Sequence, residues 1–313
     1  MDSLWALAAG VDLDLLGRFA YMLALVAVGF GARRLGVLTN DRNERLGQVA
    51  FYVLLPALVF SSTYDKRLGE LVSVALVAGL VVVIGTLVAL SLVSNRGGDD
   101  DVRSVAVIQS YHGNFGYFGV PVVAATLGST AAATASIILG LGALIQIPLT
   151  ILVLVRINET EADFLGELRN LVTNPILLTL GVGLVFATLQ LDVPTAAGTG
   201  LDWLSTLALP VALLAVGGSL DPRGPEIPLT RTATVVGLKV LVMPLIAWLV
   251  FSGLGADAMT RNAALVMFGA PTAVSTYVYA TELGGDSAFA SVNVFATTVA
   301  SIVSLFFLLL VIT

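Results

Sequence analysis

The residues whose types and spacing could bind a ligand lie at 113–121, Gly-Asn-Phe-Gly-Tyr-Phe-Gly-Val-Pro. Glycines at every third position, an asparagine and a proline are poorly suited to a continuous helix. The stretch nevertheless interrupts an apolar segment, 102–127, that is long enough to span a membrane. A broken helix survives in lipid only where protein or a cavity satisfies the freed backbone groups. The sequence therefore predicts a broken helix at the crossover point of a transporter.

Asn114 is the candidate ligand-binding residue of this stretch, because its amide offers a donor and an acceptor. The N-termini of half-helices attract anions. We therefore expect Asn114 to contact a substrate carboxylate or to hold the two broken helices together. The alternative is that it only bonds backbone groups that the break sets free. Gly113, Gly116 and Gly119 indicate close helix packing, and Pro121 belongs with them as a structural residue.

A second interruption lies at residues 268–273, Phe-Gly-Ala-Pro-Thr-Ala, in the middle of another apolar segment. Pro271 predicts this break and is a structural residue, not a ligand. Thr272 and Ser275 occupy the place symmetric to Asn114, so their hydroxyls are further substrate-binding candidates. Paired, interrupted helices in corresponding positions are typical of the binding site of a secondary transporter.

Two ionisable side chains lie inside apolar segments. His112 could relay protons or be a buried, hydrogen-bonded imidazole. Lys239 could be a counter-ion for an anionic substrate or a fixed cation that replaces a coupling ion. It follows Arg231 by about 8 residues, roughly 12 Å along a helix, so its ammonium could instead reach the cytoplasmic surface. Other side chains that could line the cavity are Phe60, Ser61 and Tyr117.

The composition identifies an integral membrane protein. The chain is 57% hydrophobic and only 12% charged, whereas soluble domains carry about 25% charged residues. The absence of cysteine excludes thiolate chemistry, and the single histidine excludes two-histidine metal motifs. We therefore expect no catalytic residue, metal or cofactor. We predict an all-α polytopic protein with ten spanning segments, approximately 15–34, 44–62, 69–94, 102–127, 130–155, 170–190, 202–220, 230–252, 259–283 and 286–312.

The basic residues predict the orientation of these segments. Ten arginines fall at alternate connections on one side, against four basic residues on the other, which places the first set in the cytoplasm. Both termini are then expected outside. The first set comprises Arg33, Arg34, Arg42, Arg45, Arg96, Arg103, Arg156, Arg169, Arg223 and Arg231, and the second Arg18, Lys66, Arg67 and Arg261.

The two halves of the chain align with each other. Gly113 and Asn114 fall on Pro271 and Thr272 at an offset of 158 residues. Because each half holds five segments, an odd number, the halves must have opposite topology, which is the inverted-repeat plan of secondary transporters. We therefore expect a first five-helix repeat at 1–157, a cytoplasmic connector at 158–169 and a second five-helix repeat at 170–313.

Residues 114–121 resemble the auxin efflux carrier family, and residues 270–271, 279–282 and 214–220 are similar to it as well. The resemblance covers essentially the whole chain. It implies two inverted five-helix repeats in which helices four and nine are broken and cross, with a scaffold and a moving transport domain. It also implies organic anion substrates that carry carboxylates. Gln146 lies where the family often has an amide facing the site, although helix-to-helix hydrogen bonding is an alternative.

These features together predict a secondary transporter that moves a small organic carboxylate, auxin-like or malonate-like, across the plasma (inner) membrane by alternating access. Coupling to protons or to the membrane potential stays open. The alternatives are a sodium-coupled organic anion symporter resembling bile-acid carriers and a non-transporting membrane sensor. The expected partners are the anion and membrane lipid, with no nucleic acid. Glycine-rich faces would permit a homodimer, although they could equally serve internal packing.

Overall fold

The computed structural model describes residues 13–67, 69, 72–220 and 228–312. The predicted outside N-terminus and Arg223 lie outside the described residues. All regular secondary structure in the described part is helical, in thirteen helices. They are α1 (Leu13–Arg34), α2 (Asn40–Thr63), α3 (Val74–Ser94), α4 (Asp100–Gln109), α5 (Phe115–Leu127), α6 (Ser129–Asn158), α7 (Phe164–Val172), α8 (Pro175–Leu189), α9 (Thr195–Ser219), α10 (Leu229–Gly253), α11 (Ala258–Gly269), α12 (Ser275–Glu282) and α13 (Ser287–Ile312).

Prolines determine where the long helices widen. A π-helical turn at Ala50–Leu54 ends two residues before Pro56 in α2, and another at Gly237–Val242 ends two residues before Pro244 in α10. A third π turn opens α5 in the same relation to Pro121. Proline lacks an N–H and its ring clashes with the carbonyl four residues earlier. A wider turn accommodates both problems and redirects the side chains that follow it.

Polar side chains cap the first turns of several helices. The Ser73 hydroxyl accepts a hydrogen bond from the third residue of α3, and the Asn174 carboxamide accepts two from the first turn of α8. The Asp257 carboxylate accepts hydrogen bonds from the backbone N–H and the hydroxyl of Thr260 at the start of α11. Each cap satisfies donors that the first helical turn leaves free.

Six of the described helices, α2, α3, α6, α9, α10 and α13, are long and apolar enough to cross a membrane. The pair α7 and α8, bent by 45°, could act as a seventh span. The predicted fourth segment corresponds to α4 and α5 and the predicted ninth to α11 and α12, each pair interrupted where glycine and proline predict a break. This architecture is that of a polytopic membrane protein.

Two predicted segments differ in extent from the observed helices. The sixth segment was placed at 170–190, but α8 begins at Pro175, because Asn174 caps it and proline fits its first turn. Residues 170–172 belong instead to the short amphipathic helix α7, which also occupies part of the predicted connector. The seventh segment was placed at 202–220, but α9 begins at Thr195.

Helices α1 and α9 pack with their backbones in direct contact. A Cβ at Gly29 would lie 2.3 Å from the carbonyl oxygen of Leu214, and one at Gly217 would lie 2.2 Å from that of Val26. No side chain fits at either position, so these two glycines serve packing within one chain.

Candidate functional site

The two helix breaks lie side by side and share backbone hydrogen bonds. Gly113 and Thr272 form an isolated antiparallel bridge. The Asn114 N–H donates to the Pro271 carbonyl at 2.8 Å, and the Ala273 N–H donates to the His112 carbonyl at 3.0 Å. Each break therefore satisfies backbone groups that the other has exposed, which is what interrupted helices in lipid require.

The two hydrogen bonds are related by an offset of 159 residues, which separates the donors Asn114 and Ala273 and also the acceptors His112 and Pro271. The bridge is thus locally two-fold symmetric, with His112, Gly113 and Asn114 equivalent to Pro271, Thr272 and Ala273. The sequence alignment pairs the same stretches at an offset of 158, one residue from the offset of this local symmetry. A break in helical periodicity gives sequence alignment no register signal, because no repeating apolar face continues through it.

A cavity of about 240 Å³ lies beside the paired breaks. It is bounded by α2, α5, α6, α8 and α12, and none of the described Asp, Glu, Lys or Arg side chains lines it. The predicted site residues that line it are His112, Gly113, Asn114, Gly116, Tyr117, Gln146 and Ser275. The first turns of α5 and α12 both border this space, so two positive helix ends lie beside it.

The Asn114 side chain bonds backbone that the break sets free, and part of its amide stays without a partner. Its Oδ1 accepts a hydrogen bond from the Tyr117 N–H at 3.2 Å and so caps α5. Its Nδ2 is buried and has no hydrogen-bond partner among the described residues. The side chain is only 4% exposed. An unpartnered amide donor in a buried position is costly, and this one belongs to a residue that lines the cavity.

The other polar groups of the cavity are held by the protein. The Gln146 amide donates to the Tyr111 carbonyl at 3.4 Å, and His112 Nδ1 is hydrogen bonded to the Thr150 hydroxyl at 2.8 Å. The Tyr117 hydroxyl donates to the backbone of α2, whereas Ser275 is exposed at the first position of α12. The cavity thus combines hydrogen-bond donors with aromatic walls.

Lys239 does not reach the cytoplasmic surface, so that alternative is wrong. The side chain is completely buried. Its Nζ donates to the carbonyl oxygens of Phe268, at 3.0 Å, and Ala270, at 2.5 Å, at the C-terminal end of α11. Lys239 lies in the π turn of α10, which directs its side chain toward the helix breaks. Lys239 does not line the cavity but lies behind Gly113.

The remaining predicted residues lie elsewhere. Thr272 is fully buried, and its hydroxyl donates to the His112 carbonyl. Phe60 packs against Tyr64 and Phe186. Neither Ser61 nor Phe60 borders the cavity. Gly119 allows α5 to approach Met267, and Pro121 and Pro271 shape the backbone of the breaks.

Sequence reasoning did not assign Phe51, Asn174 or Tyr279 to the cavity, yet all three line it. Phe51 stacks on Tyr117, with ring centroids 6.2 Å apart. The Asn-Pro pair at 174–175 is a helix start signal and could have indicated that an amide lies at the beginning of α8. Phe51 gave no such signal, because it lies in the π turn of α2.

Two further cavities adjoin the first. One of about 310 Å³ shares Phe51, Asn174 and Tyr279 with it and extends to Glu167 on α7. Another, of about 490 Å³, shares Phe51 and Ser275 and extends to the start of α2. Phe51 therefore lies where all three meet. Among the described residues, no group of three or more His, Asp or Glu side chains is placed to hold a metal ion.

The arrangement suits capture of a small anion by hydrogen-bond donors and helix ends. Comparison with known proteins identifies a family: the model described as "Membrane transport protein" matches residues 17–167 and 160–309. A Methanothermobacter thermautotrophicus protein named "Uncharacterized transporter" is 29% identical over 293 residues, covering 91% of this chain and 94% of that protein. A Rhizobium meliloti protein named "Putative malonate transporter" is 26% identical over 303 residues, covering 90% and 93%. A Methanocaldococcus jannaschii protein named "Uncharacterized transporter" is 23% identical over 289 residues, covering 90% and 93%.

Proposed function

Because the chain belongs to the membrane transport protein family, the family of the auxin efflux carriers, we propose that it carries a small organic carboxylate anion across the plasma membrane. The anion binds in the cavity beside the two helix breaks. The relative named as a malonate transporter makes a short dicarboxylate the first substrate to test. A cavity of about 240 Å³ has room for such a molecule.

The proposed topology has ten spans, with α4 and α5 forming one interrupted span and α11 and α12 another. The two halves, 1–157 and 170–313, are inverted repeats joined by the connector 158–169. The local two-fold symmetry of the bonds between the breaks supports this arrangement. Under the orientation predicted from basic residues, both termini are outside, and α7 lies at the cytoplasmic surface.

The unpartnered Nδ2 of Asn114 is the observation that carries the substrate assignment. A carboxylate oxygen is the natural acceptor for this donor, and hydrogen bonds to charged groups are stronger than those between neutral groups. The N-termini of α5 and α12 favour the same negative charge. The described acidic side chains stay out of the cavity, so none repels the anion there.

Alternating access is the proposed mechanism. The two adjoining cavities extend toward Glu167 and toward the beginning of α2, which the predicted orientation assigns to the cytoplasm. The described conformation is then an inward-open one. Outward release would require the paired breaks and the half-helices around them to shift relative to α2 and α9, as inverted-repeat transporters do.

Uptake by proteoliposomes tests this function. The purified protein is reconstituted, and entry of labelled malonate, other dicarboxylates and indole-3-acetate is measured under a sodium gradient, a pH gradient or an imposed potential. Saturable uptake of one acid supports the carrier. Uptake that needs sodium would identify the sodium-coupled symporter instead. Lack of uptake and binding for every carboxylate, in protein shown to be folded, would contradict the proposal and favour a sensor role.

A further inference from the structure

Lys239 is a buried cation at the end of a broken helix. Its side chain has no solvent exposure, and Nζ contacts the carbonyl oxygens of Phe268 and Ala270, which α11 leaves free at its C-terminus. No salt bridge joins Lys239 to a carboxylate within the described part of the chain. The partners of this ammonium are therefore neutral carbonyls and the negative end of a helix dipole.

Such an arrangement leaves the charge incompletely compensated. Removing an ammonium from water is costly, and neutral carbonyls offset only part of the cost, because full compensation needs an opposite charge nearby. An ammonium has three donors, and two carbonyl oxygens accept from this one. A cluster of free carbonyls at a helix C-terminus is otherwise a position that suits a metal cation, since oxygen ligands bind hard cations.

Gly113 separates Lys239 from the cavity. A Cβ at this position would lie 3.4 Å from Nζ and 2.6 Å from the Phe115 ring. Gly113 also lines the cavity. Because glycine has no side chain, the ammonium lies close behind backbone that lines the cavity. In a low-dielectric surrounding, the attraction between opposite charges is much stronger than in water.

We propose that Lys239 is a tethered cation that supplies the positive charge for the bound carboxylate and replaces a co-transported cation at the helix break. The inference rests on the proposed transport of a carboxylate. Two consequences follow. Anion binding by the natural protein needs no sodium, and loss of the Lys239 charge weakens anion binding although its ammonium does not line the cavity.

Malonate binding and uptake in the wild-type protein are measured first, in sodium chloride and in choline chloride. We expect affinities and rates that agree within about a factor of two. Lys239→Ala is then compared with Lys66→Ala, a matched control whose lysine is paired with Asp65 elsewhere in the protein. We expect at least a tenfold loss of affinity for Lys239→Ala and no change for Lys66→Ala.

Rescue distinguishes lost charge from damaged structure. Lys239→Ala leaves the two carbonyl oxygens without a donor, so ethylammonium or sodium entering the vacated space should restore part of the affinity, while the wild type responds to neither. Should the variant fold only when ethylammonium is present, that also supports a cation site. If the Lys239→Ala variant does not fold under any condition, the comparison of sodium chloride with choline chloride in the wild type is the deciding measurement.

Two results would overturn the inference while leaving carboxylate transport intact. One is wild-type uptake that sodium stimulates strongly. The other is a folded Lys239→Ala protein that binds malonate as tightly as the wild type without any added cation. Absence of carboxylate binding in the wild type would instead mean that the transport function itself is wrong.

Discussion

Replacing Asn114 tests the binding site directly. Asn114→Ala removes the buried Nδ2 that has no protein partner and the Oδ1 that accepts from the Tyr117 N–H. Asn114→Asp has nearly the same shape and keeps an acceptor for the Tyr117 N–H. It replaces the free donor with a carboxylate oxygen, so it places negative charge where the anion should bind.

The expected size of the effect follows from these contacts. A hydrogen bond to a charged group contributes about 1.5–3 kcal/mol, which at about 1.4 kcal/mol per tenfold corresponds to about 10- to 150-fold weaker binding in Asn114→Ala. Asn114→Asp should lose more affinity, because repulsion between its carboxylate and the anion adds to the loss of the donor. The free energy of unfolding should change little in Asn114→Ala. Loss of the cap destabilises the protein by about 1 kcal/mol, and removal of an unpaired buried donor stabilises it by a similar amount.

Malonate binding by isothermal titration calorimetry, together with thermal unfolding in detergent, measures both quantities on the same samples. Ser61→Ala is the matched control, because the Ser61 hydroxyl is also buried without a partner among the described residues but lies away from the cavity. It should bind malonate normally. Wild-type affinity in a folded Asn114→Ala protein would refute the role of this amide and return Asn114 to a purely structural one.

Three other substitutions probe the fold and the cavity. Asp257→Ala should cost about 1 kcal/mol by removing the cap of α11. Burial raises the pKa of Asp257, but hydrogen bonds from Thr260 and neighbouring backbone lower it below its usual range. The unfolding temperature of Asp257→Ala should therefore lie below that of the wild type at neutral pH, and the two temperatures should converge below about pH 4. Gly217→Ala should lower the unfolding temperature, because its methyl group would meet a backbone carbonyl, whereas Gly200→Ala, in open space on the same helix, should not. Phe51→Ala should join the three cavities, and competition assays should then show tighter binding of bulky carboxylates and weaker binding of malonate.

Sequence reasoning predicted the features that local chemistry determines. Glycine, asparagine and proline at residues 113–121 and 270–271 predicted both breaks, because these residues disfavour a continuous helix. Asn114, Ser275 as its symmetric counterpart, and Gln146, which the family resemblance implied, all line the candidate cavity. The all-helical membrane architecture followed from apolar segment lengths.

Other features depended on how helices rotate about their axes. The π turn at Ala50–Leu54 shifts the faces of α2, and Phe51 lines the cavity while Phe60 packs against Phe186. The π turn at Gly237–Val242 likewise directs Lys239 inward. An apolar sequence in lipid has no polar face that reveals such a rotation, so hydropathy cannot locate either residue.

The shared bonds between the two breaks also constrain how the chain can vary in length. A one-residue insertion or deletion changes which residues pair across the bridge, and in extended backbone neighbouring side chains point to opposite sides. Such a change in either break would turn Asn114 away from the cavity or displace Pro271 from its hydrogen bond. We therefore expect insertions to be tolerated in the connections at 95–99 and 254–257 but not in the breaks. The binding site would then keep its geometry in proteins of this kind whose loops differ widely in length.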